Sequence, residues 1–192
     1  MPAFAGQVRG RELASLDSVR FLIVDDNQYM RAIVVELLRA FGAKRILEAV
    51  DGAEAISKGE SWEPDIVIID YAMATDGLTF TRKLRAGQTK LDPTLPVILM
   101  TGHTEASRVE AARDAGVTEF LAKPLSAETL FARIAAVIDK PRAFTKGPNY
   151  IGPCRRRRLG LNFTPWRRRA TDPAQDRAMQ EGASWNANGD HG

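Results

Sequence analysis

The run Asp65-Ile66-Val67-Ile68-Ile69-Asp70 constrains this chain more than any other. Its β-branched apolar residues are too few for a helix. They read as a strand buried on both faces, the kind found in parallel sheets covered by helices. Asp70 then stands at the carboxyl end of the strand, the edge where open α/β sheets place their ligands. Alone, Asp70 reads more readily as a residue that merely caps or turns the chain after the strand. Three further runs change its context. Arg20-Phe21-Leu22-Ile23-Val24 leads into Asp25-Asp26, Pro96-Val97-Ile98-Leu99-Met100 into Thr101, and Glu119-Phe120-Leu121-Ala122 into Lys123-Pro124. One sheet edge would then receive three carboxylates, a hydroxyl and an ammonium.

The stretches between these runs have helical spacing. From Gln28 to Phe41, residues Tyr29, Ile33, Val34, Leu37, Leu38 and Phe41 share one helical face, with Asn27 as cap and Gly42 as terminator. Arg45–Ala49 reads as a short strand, and a small helix opens at Asp51 and stops by Gly59. Gly77–Arg85 is predicted helical with Leu78 and Leu84 inward, and Ala106–Ala115 is closed by Gly116. The last helix runs from Ser126, its cap, to Ile138, with Leu130, Phe131, Ile134, Val137 and Ile138 inward. Five strands alternating with five helices predict an α/β fold, a doubly wound parallel sheet with helices on both faces. The alternation does not set the strand order.

Of 27 Lys+Arg and 24 Asp+Glu in the 192 residues, 10 and 4 fall after Lys140, which leaves 17 against 20 before it. A net +3 therefore divides into −3 and +6. The texture changes at the same point, from continuous apolar periodicity to Pro, Gly, Arg and Asn. We read residues 1–17 as a lead-in, 18–140 as the folded domain, and 141–192 as a basic, largely disordered tail. No run approaches the ~18 apolar residues of a transmembrane helix. Met1–Gly10 lacks the basic-then-apolar order of a secretory signal. The single cysteine, Cys154, allows no intramolecular disulfide and fits a reducing cytoplasm.

Three carboxylates at one edge are electrostatically costly unless a cation joins them. Hard oxygen ligands with room for water and a phosphoryl group suit Mg²⁺. A carboxylate nucleophile forming an acyl phosphate is an established route. Lys123 would supply a point charge for phosphoryl oxygens and Thr101 a hydroxyl donor. The bland alternatives are helix capping by Asp25-Asp26, a turn at Thr101 and a solvated Lys123.

Taken together, the acid pair, acid, hydroxyl and lysine resemble the CheY-like receiver domain of two-component response regulators, from Val19 to Lys140. The resemblance implies a flavodoxin-like strand order, 2-1-3-4-5. It implies that Asp70 is the phospho-acceptor and that Asp25, Asp26, Asp70 and the backbone carbonyl of Ala72 hold Mg²⁺. Thr101 and Lys123 would bind the phosphoryl group, and Pro124 would follow a cis bond. The phosphodonor would be a histidine kinase or a histidine phosphotransfer protein. Output would pass by protein–protein contact through the fourth helix, fifth strand and fifth helix, with no reaction on an outside substrate and hence no enzyme activity in that sense. The switch pair would be Thr101 and Phe120, although Phe120 reads equally as a core residue.

The chain also departs from the family pattern. After the acceptor it reads Tyr71-Ala72-Met73-Ala74-Thr75-Asp76-Gly77, with Ala74 where the family has proline and one residue fewer before Asp-Gly. Ala72 and His103 occupy positions that border the phosphate, so an altered phosphoryl lifetime is expected, without a sign. His103 otherwise reads as a solvated loop histidine, and it forms no metal motif with His191.

Two similar units follow: Gly152-Pro153-Cys154 before Arg155, Arg156, Arg157 and Arg158, and Thr164-Pro165-Trp166 before Arg167, Arg168 and Arg169. They resemble the arginine-rich tails of some stand-alone bacterial receivers. Tyr150, Phe163 and Trp166 interleave the arginines, a composition that suits nucleic-acid phosphates and bases. It equally suits an acidic protein, an anionic membrane or plain solvation. The tail has too few apolar residues for a helix-turn-helix output domain.

Overall fold

A computed structural model describes residues 16–73, 77–102, 106–147 and 150–154. The lead-in up to residue 15, the loop residues Ala74, Thr75 and Asp76, His103 and both arginine blocks lie outside them. The chain divides into two units, Met1–Leu159 and Gly160–Gly192, and the described residues belong to the first.

The central sheet comprises β1 (Arg20–Val24), β2 (Arg45–Ala49), β3 (Ile66–Asp70), β4 (Val97–Thr101) and β5 (Glu119–Ala122), in the order β2-β1-β3-β4-β5. All four pairings are parallel. The connecting helices are α1 (Gln28–Ala40), α2 (Gly52–Trp62), α3 (Gly77–Arg85), α4 (Ala106–Asp114) and α5 (Ala127–Asp139).

Because side chains alternate along a strand, each strand feeds two cores. Phe21, Ile23, Ile66, Ile68, Ile98 and Met100 face α1 and α5, where they meet Val34, Val35, Leu38, Leu130, Ile134 and Val137. Leu22, Val24, Val67, Ile69, Val97 and Leu99 face the other way, onto Ala55, Leu78, Phe80, Leu84 and Ala112. Each fully buried Leu, Ile or Phe contributes about 1.5–3 kcal/mol. A sheet covered on both sides leaves its strand ends as the places for polar chemistry.

Asn27 caps α1 through bonds from Tyr29 N and Met30 N, and Ser126 caps α5 in a reciprocal box with Thr129. Two helices differ from expectation. The buried face of α1 is Val34, Val35 and Leu38, with Leu37 and Phe41 half-covered; Tyr29 is 83% and Ile33 48% exposed. From Val34 to Leu38 the helix turns its apolar stripe to the sheet, whereas Tyr29 and Ile33 stay exposed. Helix α2 does not stop at Gly59 but runs to Trp62. Gly59 is there for close packing, since a Cβ would stand 3.2 Å from Leu91 and 3.4 Å from Leu22.

The stretch that reads as the start of the tail also holds structure. Phe144–Gly147 (β6) and Tyr150–Pro153 (β7) pair antiparallel, with Phe144 opposite Pro153 and Gly147 opposite Tyr150. Both strands lie beyond Lys140, within the stretch read as the tail. Phe144, Tyr150 and Ile151 are each half-covered. Among the described residues no helix is long and apolar enough to cross a membrane.

Candidate functional site

The C-terminal edge of the sheet gathers the expected residues. Asp25 follows β1, Asp70 ends β3, Thr101 ends β4 and Lys123 follows β5. Asp25, Asp70 and Thr101 are buried, Lys123 is half-buried and Asp26 is exposed. One carboxylate oxygen from each of Asp25, Asp26 and Asp70 lies within 4.8 Å of the others. Lys123 Nζ stands 2.9 Å from Asp70 Oδ1 and 3.3 Å from Asp25 Oδ2.

Backbone bonds set this arrangement. Tyr71 N donates to Met100 O and Lys123 N to Thr101 O, which ties the ends of β3, β4 and β5 together. The Lys123–Pro124 bond is cis. Gly77 opens α3 directly against β3, where a Cβ would collide with the Asp70 carbonyl oxygen. The glycine therefore lets α3 start beside the acid. Phe120 pairs in register with Leu99 and is half-buried against the core under α2, α3 and α4.

Burial raises the pKa of Asp25, and the neighbouring Asp70 charge pushes the same way. The Asn27 N–H and Lys123 oppose them without winning. Burial alone would lower the pKa of Lys123, but Asp70 and Asp25 together outweigh it and the net shift is upward. Asp70 Oδ1 is buried and accepts no directed hydrogen bond; its contact is the ion pair with Lys123. Three acids share one ammonium, an imbalance that a hard cation would correct. The donor set, all carboxylate oxygen, fits Mg²⁺.

Arg31 belongs to the site, and the sequence reading passed over it. Its Nη1 donates to the Asp25 carbonyl at 2.8 Å and its Nε to Glu48 Oε2 at 3.2 Å, with the side chain only 13% exposed. Asp25 N bonds Ala49 O, and its Oδ1 accepts from Asn27 N at 2.8 Å. The acid is thus fixed through its amide, its carbonyl and its carboxylate. Arg31 sits six residues on, one helical turn inside α1, where an arginine ordinarily reads as solvated.

Comparison with known proteins bears on this geometry. The family model described as "Response regulator receiver domain" matches residues 21–135. The chain belongs to the response regulator receiver family. Among its receiver relatives, the transcriptional regulatory protein PdtaR of Mycobacterium tuberculosis is 32% identical over 127 residues, 66% of this chain and 60% of that protein. The chain thus spans well under two thirds of that relative. The chemotaxis protein CheY4 of Vibrio cholerae superposes with a TM-score of 0.57 at 28% identity, over 62% of this chain and 98% of CheY4. The receiver domain of sensor histidine kinase PA1611 from Pseudomonas aeruginosa, solved with a magnesium ion coordinated in its active site cleft, gives a TM-score of 0.55 at 26% identity, over 61% and 94%.

Proposed function

We propose that this receiver accepts a phosphoryl group on Asp70 and signals through the change in charge that follows. The observation that supports the reading best is the buried Asp70 carboxylate, 2.9 Å from Lys123 and within 4.8 Å of two further acids. In this reading the donor is a phosphohistidine on a kinase or phosphotransfer protein. An Asp70 oxygen forms the new P–O bond as the donor's P–N bond breaks, and the imidazole leaves. Lys123 and the Thr101 hydroxyl receive the phosphoryl oxygens.

Asp25, Asp26 and Asp70, with the Ala72 carbonyl, would hold Mg²⁺. The ion, when bound, offsets negative charge on the acids and the phosphoryl group. Arg31 holds Asp25 in place for that task. Addition of a dianionic group beside Thr101 biases the β4–β5 end, and Phe120, half-buried next to it, is the side chain placed to respond. The expected output is protein–protein contact in a cytoplasmic pathway. The alternative, nucleic-acid binding through the arginine blocks, draws on their composition alone and stands behind this reading.

The test is intact mass after incubation with Mg²⁺ and acetyl phosphate. Wild type gains one labile phosphoryl group, and Asp70→Asn gains none. No gain in wild type, or an equal gain in both, would overturn the assignment.

A further inference from the structure

The opposite, N-terminal edge of β4 and β5 carries a second concentration of polar chemistry. Arg85, the last residue of α3, is 4% exposed. Its Nε donates to Gly116 O at 3.0 Å, and its Nη1 to Pro93 O at 2.6 Å and Leu95 O at 2.9 Å. The Asp92 charge favours the guanidinium, and Nη2 is buried without a hydrogen-bond partner. A guanidinium buried in this way needs every favourable contact it has. One of them is the ring of Phe144 on β6, whose centroid lies 4.9 Å from Arg85 Cζ.

The hairpin fits the same surface closely. Gly116 has φ +91°, a conformation that favours glycine, and a Cβ there would stand 3.0 Å from Ile151 O. A Cβ on Gly152 would stand 2.7 Å from the Tyr150 hydroxyl within the hairpin and 2.9 Å from Gly116 Cα across the seam. The two glycines therefore meet backbone to backbone. Arg142 closes the seam from outside, with Nη1 on Thr118 O at 3.2 Å and Nη2 on Cys154 O at 2.6 Å. Cys154 N bonds Ala143 O at 2.7 Å. Gly116 and Thr118 precede β5 and Leu95 precedes β4, so every anchor lies at the end of the sheet away from Asp70.

We propose that this edge is an intramolecular docking surface whose ligand is the chain's own residues 141–147 and 150–154, and that the receiver folds as a unit with them. The family match ends at residue 135, before the hairpin begins. The hairpin thus lies beyond the matched segment, and its Phe144 ring covers one side of the Arg85 guanidinium. In the sequence, Arg155 follows Cys154 directly.

The test uses the full chain carrying Gly152→Ala, with Phe144→Ala as a second variant. Gly152 lies outside the five-stranded sheet; a methyl group there crowds Gly116 across the seam as well as Tyr150 within the hairpin, and Phe144→Ala, which removes only the ring over Arg85, checks docking itself. Limited trypsin digestion reads cleavage at Arg142 and Lys146, which tracks the open population. The expected result is cleavage about fivefold or more faster in both variants with a lower thermal midpoint. Mg²⁺ binding, at the far edge, stays at the wild-type level. Wild-type cleavage rate and midpoint in Gly152→Ala would overturn the proposal. That outcome leaves the Asp70 reading intact, because phosphoryl uptake is measured separately.

Discussion

At the C-terminal ends of β4 and β5, Lys123 faces two carboxylates and water; at the N-terminal ends of the same strands, Arg85 faces three carbonyls and an aromatic ring. Both cations are drawn out of solvent, yet their environments act on them in opposite senses. The acids raise the pKa of Lys123 against its burial, whereas burial pushes Arg85 down to about 10. Lys123 is a compact charge beside acids that outnumber it, an arrangement open to another ion or a phosphoryl group. Arg85 is a planar fork whose donors are mostly used up by loop carbonyls, an arrangement closed to ligands. The first edge holds unspent charge for chemistry. The second uses charge to tie the α3–β4 and α4–β5 connections to the hairpin.

Substitutions at the two edges separate these roles, and the largest loss of stability belongs to the closed edge. Arg85→Met strands three loop carbonyls and the Phe144 ring, and should cost about 3 kcal/mol or more of unfolding free energy. Urea denaturation measures this, and the loss should be the same with and without Mg²⁺. A loss that Mg²⁺ reverses would mean that the edges are not separate.

Lys123→Ala should lower the rate of phosphoryl uptake from acetyl phosphate roughly 10²-fold, as removal of one preorganised charge donor does elsewhere. It leaves the buried Asp25 and Asp70 uncompensated, so the variant should also unfold more easily, but here Mg²⁺ should restore stability. Thermal melts across a Mg²⁺ series check it.

Asp25→Asn gives the smallest effect and the most telling sign. The folded pKa of Asp25 lies above its ordinary value, so the folded state holds that proton more tightly than the unfolded state does. The ionised form therefore subtracts stability above the folded pKa, and the penalty fades as pH falls through it toward the unfolded value near 3.8. At neutral pH the substitution should stabilise the Mg²⁺-free protein by about 1 kcal/mol. The gain should vanish below that window. A destabilised variant at neutral pH would show that the pairing with Lys123 outweighs burial.

The open edge was largely legible in the sequence and the closed edge was not. Asp25, Asp70, Thr101 and Lys123 each follow an apolar run, so strand periodicity alone brings them to one end of one sheet. Arg85 has no such marker. An arginine in the last turn of an amphipathic helix ordinarily reads as a solvated partner of the helix dipole. Its carbonyl partners come from two loops that local pattern cannot orient. The hairpin was hidden by texture: Pro, Gly and Arg dominate the region, and the alternation at Phe144–Lys146 is too short to stand out. Gly59 misled for a related reason, since a glycine needed for contact with Leu22 and Leu91 looks the same in sequence as one that ends a helix. Tyr29 and Ile33 fit the helical period but stay exposed.

The residue that takes the phosphoryl group can be identified directly. Borohydride reduction of the acetyl-phosphate-treated protein, followed by peptide mapping, traps an acyl phosphate as the reduced side chain at the modified residue. The prediction is a single Mg²⁺-dependent reduction at Asp70, with Asp25 and Asp26 unchanged. Reduction at another carboxylate, or none at any, would contradict it.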